Sequence, residues 1–382
     1  MRRLAPNGWP AQLILSFAGT AGILYVNIMP ALVDALQVAL GFSPEAAGRV
    51  GSLNTYGGAF GALCMAAFGR RLPWRATLLS LAAGLIIFDL LSIRIATPWT
   101  MMAVRFVHGT LGGGMVAMAY LVISRVSRPS RTFALVIALQ YGAYMVSIVV
   151  LPVLVRSLGM APLFLVLVAF SALTMALILF LPDYPETREV SRIAGAGGAT
   201  EVLPRLLALA SVVLFQAGNM AVNAYIVGLG QSAGLTLRDE LPALSAAGLA
   251  GLMGSVAVVL LPSRSNPMGP VIIAISMALL GILGLLQAGD RAVWLLASVM
   301  NGFAWGATLP LLIGLCASMD RAGSGAMWSS FMSKLGLASG PMLGSFVIGS
   351  PPRYAALIIV GAVLTAAALA AAVGPMAVRR LQ

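Results

Sequence analysis

Arg105-Phe106-Val107-His108-Gly109-Thr110-Leu111-Gly112-Gly113-Gly114 sets a guanidinium, the chain's one histidine and a run of glycines inside an otherwise apolar segment. A cation at the centre of a bilayer costs roughly 2.5 to 3.5 kcal/mol on insertion scales, so Arg105 is expected to face protein or a wet cavity, away from lipid. Gly109 and Gly113 stand four apart and share one face of a helix, where small residues let a neighbouring backbone approach closely. The stretch reads as one helix of a bundle, placed for function.

Composition agrees. Of 382 residues, 60% are hydrophobic and 9% charged, against about 25% charged in ordinary soluble domains. This marks an integral membrane protein. Cys64 and Cys316 sit in apolar runs with no CxxC or Cys/His spacing, which suggests neither a disulfide framework nor a metal site. The net charge of +12 is spread in small groups between apolar segments; that is the pattern of membrane topology, and nucleic acid is not an expected partner. Residues 11–33 are long enough to be a first span, and no cleavage-like site follows them, so they are read as a helix that stays.

At about 20 residues per span, twelve apolar segments follow one another: 11–33, 46–68, 76–95, 99–123, 132–155, 161–181, 205–229, 242–262, 269–287, 292–318, 324–348 and 354–377. None alternates as a barrel strand does, and open sheet edges cannot be satisfied in lipid. The expected class is all-α. Arginines concentrate on alternate connections, for example Arg70, Arg71 and Arg75 after the second segment and Arg125, Arg128 and Arg131 after the fourth. By the positive-inside rule these connections and both termini are cytoplasmic. Residues 183–204 are polar and Gly/Ala-rich and divide the segments six and six. They are expected to link an N-terminal bundle, 1–182, to a C-terminal bundle, 205–382. Short matches suggest that the halves are repeats: His108-Gly109 with Asn301-Gly302, Gln140-Tyr141-Gly142 with Lys334-Leu335-Gly336, and Ala18-Gly19-Thr20 with Ala217-Gly218-Asn219.

Twelve spans, the six-plus-six split and the fourth-segment pattern RxxxGxxGGG resemble the major facilitator superfamily over essentially the whole chain. Arg105, Gly109 and Gly112 to Gly114 carry the likeness, with His108 where a glutamine is common. In the second connection Gly61, Arg70, Arg71 and Arg75 fit, while Gly69 stands about where an aspartate is expected. The fifth segment lacks the GPxxGG pattern of drug/proton antiporters, and a GPxxG occurs instead at Gly340 to Gly344. The resemblance implies two pseudo-symmetric six-helix bundles that rock about a central site, and an arginine at position 105 that serves packing and the conformational or proton cycle.

Few side chains inside the segments can carry chemistry. Lys334 is the sole lysine and lies among Ser330, Ser333, Gly336 and Ser339. A compact ammonium at that depth suits an anionic substrate group or a proton; alternatively it pairs with a helix end. Arg105 could grip a carboxylate in bidentate fashion. His108 is three residues from it, on the same face, and its imidazole titrates near neutrality; a neutral, hydrogen-bonded core histidine is the plainer reading. Asp89 either neutralises a neighbouring arginine or carries a proton, and pairing is favoured. Gln216, Asn219 and Asn223 follow helical spacing and form one stripe, the best candidate for a cavity wall. Tyr25, Asn27, Gln140, Tyr144 and Trp305 are the other candidates for lining a substrate path, with interhelical hydrogen bonding or packing as the alternative. Trp9, Trp74, Trp99 and Trp294 read as interfacial anchors.

These residues point to a secondary transporter of a small organic anion, plausibly a carboxylate, coupled to protons, monomeric, in a bacterial-type inner membrane. Arg105 and Lys334 outnumber Asp89, the other carboxylates being assigned to loops or segment ends. The alternatives are efflux of a drug or amphipathic metabolite, and a non-transporting receptor or scaffold. No nucleotide-binding or hydrolase motif is present, so neither an enzyme nor a cofactor is expected.

Overall fold

The computed structural model describes residue 5 and residues 8–126, 129–184, 202–261, 268–318 and 325–380. Arg2, Arg3, Arg128, Arg188, Arg192, Arg264 and Arg321, and most of the expected linker, lie outside the described residues. The described chain is helical and divides into two compact units, residues 1–188 and 189–382.

The first unit contains α1 (Trp9–Ala21), α2 (Leu24–Asn27), α3 (Met29–Leu40), α4 (Pro44–Phe68), α5 (Trp74–Ser92), α6 (Pro98–Ile123), α7 (Pro129–Leu158) and α8 (Ala161–Ile178). The second contains α9 (Val202–Asn223), α10 (Ile226–Ser232), α11 (Leu237–Val259), α12 (Met268–Gly284), α13 (Arg291–Ser318), α14 (Gly325–Ile348) and α15 (Tyr354–Arg380). Local chemistry explains several boundaries. Pro30, Pro44 and Pro98 stand in first turns, where the missing N–H costs nothing. The Ser43 hydroxyl caps α4 by accepting from the Ala46 N–H, and Thr236 and Asp239 form a capping box on α11. Gly41, at φ 66°, ends α3 in the left-handed conformation that glycine tolerates.

Among the described residues, ten helices are long and apolar enough to cross a membrane. Two of the twelve expected segments are not among them. The first is interrupted: α1, α2 and α3 replace one helix over 11–33, and the chain stays helical to Leu40. Pro30 opens α3 in its first turn, and the break itself lies at a close contact. A Cβ on Gly22, at the break, would run into the Gly112 carbonyl of α6, and one on Gly112 into the Gly22 carbonyl. The second, α4, is 25 residues long but is diluted by glycines and by Glu45 and Arg49.

Glycine also fixes the tightest packing in each unit. In the first, α4 and α6 meet where a Cβ on Gly109 would strike the Asn54 carbonyl, one on Gly113 the Gly58 carbonyl, and one on Gly61 the Thr110 carbonyl. In the second, α11 and α13 meet in the same way through Gly302 on Ala247, Gly306 on Gly251 and Gly254 on Phe303. With no hydrophobic drive between helices in lipid, this backbone approach supplies the van der Waals contact. Side chains complete two separate cores: Leu15, Met115 and Val122 with the stacked Phe17 and Phe170 in the first unit, and Val212, Phe215, Leu312 and Leu315 in the second. Trp294, expected at an interface, is instead enclosed in the second unit at 1% exposure.

Candidate functional site

Each unit carries its own polar centre. In the first, the α4–α6 contact brings Asn54 against the turn that holds Arg105 and His108, while α5 delivers Asp89 and Ser92 from the other side. Arg105 is fully buried. Its Nη1 donates to Asp89 Oδ1 at 2.8 Å, and its Nη2 donates to the Ser92 hydroxyl at 2.6 Å and to the Phe88 carbonyl at 2.9 Å. The guanidinium carbon lies 5.3 Å from the Tyr25 ring centre on α2 and 5.1 Å from that of Phe164 on α8. Charge, hydrogen bonds and aromatic faces together replace the water that the guanidinium gave up.

His108 stands beside this pair, with Nε2 3.2 Å from Asp89 Oδ1 and Nδ1 2.8 Å from Asn54 Nδ2. The same Asn54 nitrogen donates to the Arg105 carbonyl at 2.9 Å. Tyr25 packs 5.7 Å from the imidazole. Among the described residues, Asp89 Oδ2, Arg105 Nε and the Tyr25 hydroxyl have no hydrogen-bond partner. Asp89 is therefore the counter-ion of Arg105, and the charge of that arginine is already neutralised inside the unit.

In the second unit, Gly336 and Gly340 set α14 against α9, a Cβ on Gly340 falling 2.7 Å from the Ala217 carbonyl oxygen. Ser333 thereby meets Gln216. The Gln216 amide donates to the Ser333 hydroxyl at 2.8 Å and accepts from the Trp305 indole N–H at 2.7 Å. Asn219 donates to Asn301 Oδ1 at 3.0 Å, and Asn223 reaches only the Met220 sulfur at 4.0 Å. Lys334, next to Ser333, is half-buried. Among the described residues its ammonium makes no hydrogen bond or ion pair.

The structure thus joins Arg105, His108, Asp89 and Tyr25 in one cluster and Gln216 with Trp305 in another. Asn27 and Tyr144 are half-buried, the Asn27 amide nitrogen being enclosed without a partner, and Gln140 faces the Tyr120 hydroxyl. The sequence reading missed Ser92, Phe164 and Asn301 as members of these centres. Its placement of the remaining carboxylates needs correction. Asp34 is inside α3 and only 4% exposed, because helix continues beyond residue 33, and it takes both Arg156 Nη groups, at 2.7 and 3.0 Å. Glu240, in the first turn of α11, is fully buried. The extent of α3 would have flagged Asp34; nothing in the local sequence separates Glu240 from a capping carboxylate.

Interrupted helices, apolar spans and buried charge define a multi-pass α-helical membrane protein. The Major Facilitator Superfamily model matches residues 13–341. The chain belongs to that family of transporters. Among solved structures it is similar to the nucleoside transporter NupG, with TM-score 0.74, 12% identity and coverage of 96% of this chain and 98% of that one. An aspartate-to-alanine variant of NupG matches with TM-score 0.77 and 13% identity over the same shares. No curated protein matches the sequence.

Proposed function

We propose that this protein is a secondary transporter of a small organic anion, carboxylate-like in chemistry, and that Lys334 is the group that meets the anion. One observation carries the reading: Lys334 is an intramembrane ammonium without a partner among the described residues, whereas Arg105 is compensated by Asp89. An uncompensated charge at this depth is costly, and an incoming carboxylate would offset the cost. Gln216, Asn219, Asn223 and Trp305 are the polar groups of the second unit assigned to that role, and Tyr25, Asn27, Gln140 and Tyr144 are the substrate-path candidates within the first unit. Arg105 has a supporting role, both of its terminal nitrogens being engaged by Asp89, Ser92 and the Phe88 carbonyl.

The twelve spans of this reading are the ten long helices, α1–α3 taken together, and α4. A duplicated six-helix unit is supported by the glycine register, since each contact in α11–α13 lies 193 positions after its counterpart in α4–α6. Alternating access in an inner membrane, with cytoplasmic termini and a monomeric chain, completes the proposal. Coupling is to protons, by symport or antiport, through His108 and Asp89.

A second reading has an observation of its own. NupG is a nucleoside transporter, and a row of amides beside an indole is chemistry that suits a neutral base. Here, however, both ends of the Gln216 amide are occupied by Trp305 and Ser333. Efflux of amphipathic cations is disfavoured by the free ammonium.

Thermal unfolding of the purified protein with organic anions, nucleosides and lipophilic cations separates the three. Stabilisation by anions that disappears in Lys334→Ala is the expected result. Stabilisation by nucleosides alone, or by anions equally in the variant, refutes the assignment.

A further inference from the structure

We propose that Asn54 is a positioning residue that locks His108 in its neutral, Nε2-protonated form, so that the imidazole can take a proton only when Asn54 lets go. The inference rests on the coupling role given to His108 above, and it adds the group that controls it.

The geometry fixes the ring proton of His108. An amide nitrogen has two hydrogens and no lone pair to offer, so Asn54 Nδ2 donates in both of its contacts. One hydrogen goes to the Arg105 carbonyl at 2.9 Å. The other goes to His108 Nδ1 at 2.8 Å, which must therefore be the unprotonated nitrogen. The ring proton sits on Nε2 and faces Asp89 Oδ1 at 3.2 Å. Turning the amide over gives no escape, because Asn54 Oδ1 would then oppose the Arg105 carbonyl oxygen, acceptor against acceptor.

An imidazolium at position 108 is thus incompatible with Asn54 in place: Nδ1–H would point at an N–H. The backbone beneath Asn54 holds the amide at this level. A Cβ on Gly109 would strike the Asn54 carbonyl, so the α4 backbone is seated directly on α6 at this level. The charged and titratable groups around the ring are Arg105 on α6, Asp89 on α5 and Tyr25 on α2; α8 presents Phe164, and α4 presents the neutral Asn54. Proton uptake at His108 consequently requires Asn54 to withdraw from Nδ1, which makes uptake conditional on breaking this one hydrogen bond between α4 and α6.

His108 is the only histidine, so the full-length protein labelled with 15N-histidine and held in lipid nanodiscs gives two ring nitrogen signals. Between about pH 5 and about pH 8, where an unconstrained histidine changes charge, the wild type is expected to show one protonated nitrogen, Nε2, and one unprotonated nitrogen throughout. In Asn54→Ala the two-proton imidazolium signals should grow in as the pH falls through that range. In Asn54→Asp, whose carboxylate would accept from Nδ1–H, they should already be present at its upper end.

A wild-type spectrum with the proton on Nδ1, or an imidazolium at pH 7, overturns the proposal and needs no variant. So does an Asn54→Ala spectrum that follows the wild type at every pH. Failure of the coupling reading looks different: the wild-type lock is seen, yet saturating substrate drives no proton movement in proteoliposomes.

Discussion

Arg105 Nη1 and Asp89 Oδ1 are 2.8 Å apart, with side-chain exposures of 0% and 1%. This pair decides how the charges of the chain are to be counted. It neutralises Arg105 inside the first unit, whereas Lys334 has no such counter-ion among the described residues.

Removing one member of that pair strands the other. Asp89→Ala is expected to destabilise the protein by about 3 to 5 kcal/mol, the usual cost of an orphaned buried charge. The double variant Asp89→Leu/Arg105→Leu should lose clearly less than the sum of the two single changes. Denaturant or thermal unfolding in detergent, followed over the whole mutant cycle, checks this.

The glycine contacts predict which methyl groups are tolerated. Gly109→Ala and Gly306→Ala should each cost about 1 to 3 kcal/mol through overpacking. Gly142→Ala and Gly314→Ala, where a Cβ would meet nothing within 4 Å, should change stability by less than about 0.5 kcal/mol. Equal effects at all four positions would contradict the packing described.

Gln216 ties α9 to both α13 and α14. Gln216→Leu leaves the Trp305 N–H and the Ser333 hydroxyl without this partner and is expected to cost about 1 to 3 kcal/mol. The Trp305 indole should also lose a hydrogen bond, readable in the ultraviolet resonance Raman difference between wild type and variant.

The segment that leaves α8 is clamped to the first unit. Arg75 donates to the Leu181 and Pro182 carbonyls and pairs with Asp183 at 3.3 Å, while the Tyr184 ring packs 5.7 Å from that of Trp74. Arg75→Ala should expose the following linker to faster proteolysis. Burial pushes the Tyr184 phenol up to about 12 from its ordinary 10.0. A phenol that ionises more readily when unfolded favours the unfolded chain once the pH exceeds 10, so its contribution is intact below pH 10 and is lost as the pH rises toward about 12. Tyr184→Phe should flatten the fall in stability over that interval.

Much of this was legible in the residues. Apolar length gave the helical class, and the RxxxGxxGGG pattern gave the family. Pairing of Asp89 with an arginine, Arg105 or Arg94, was the favoured reading, and the structure gives it Arg105. The interruption of the first span was legible only in part: Pro30 marks the first turn of α3, whereas the close approach of Gly22 to Gly112 on another helix is not written in residues 11–33. Asp34 was misplaced for the same reason: its partner, Arg156, is remote in the chain.

The sequence by itself determined that the chain builds apolar helices of membrane-crossing length, because transfer of apolar area and the cost of charge depend on local composition alone. It also determined that one lysine and one histidine would stand inside them. Only the tertiary structure decided what those two residues are. Hydrogen bonds and ion pairs join atoms far apart in the chain, so it took the seating of α4 on α6 to give His108 its partners, and the packing of α14 on α9 to bind Ser333 while leaving Lys334 unpaired among the described residues.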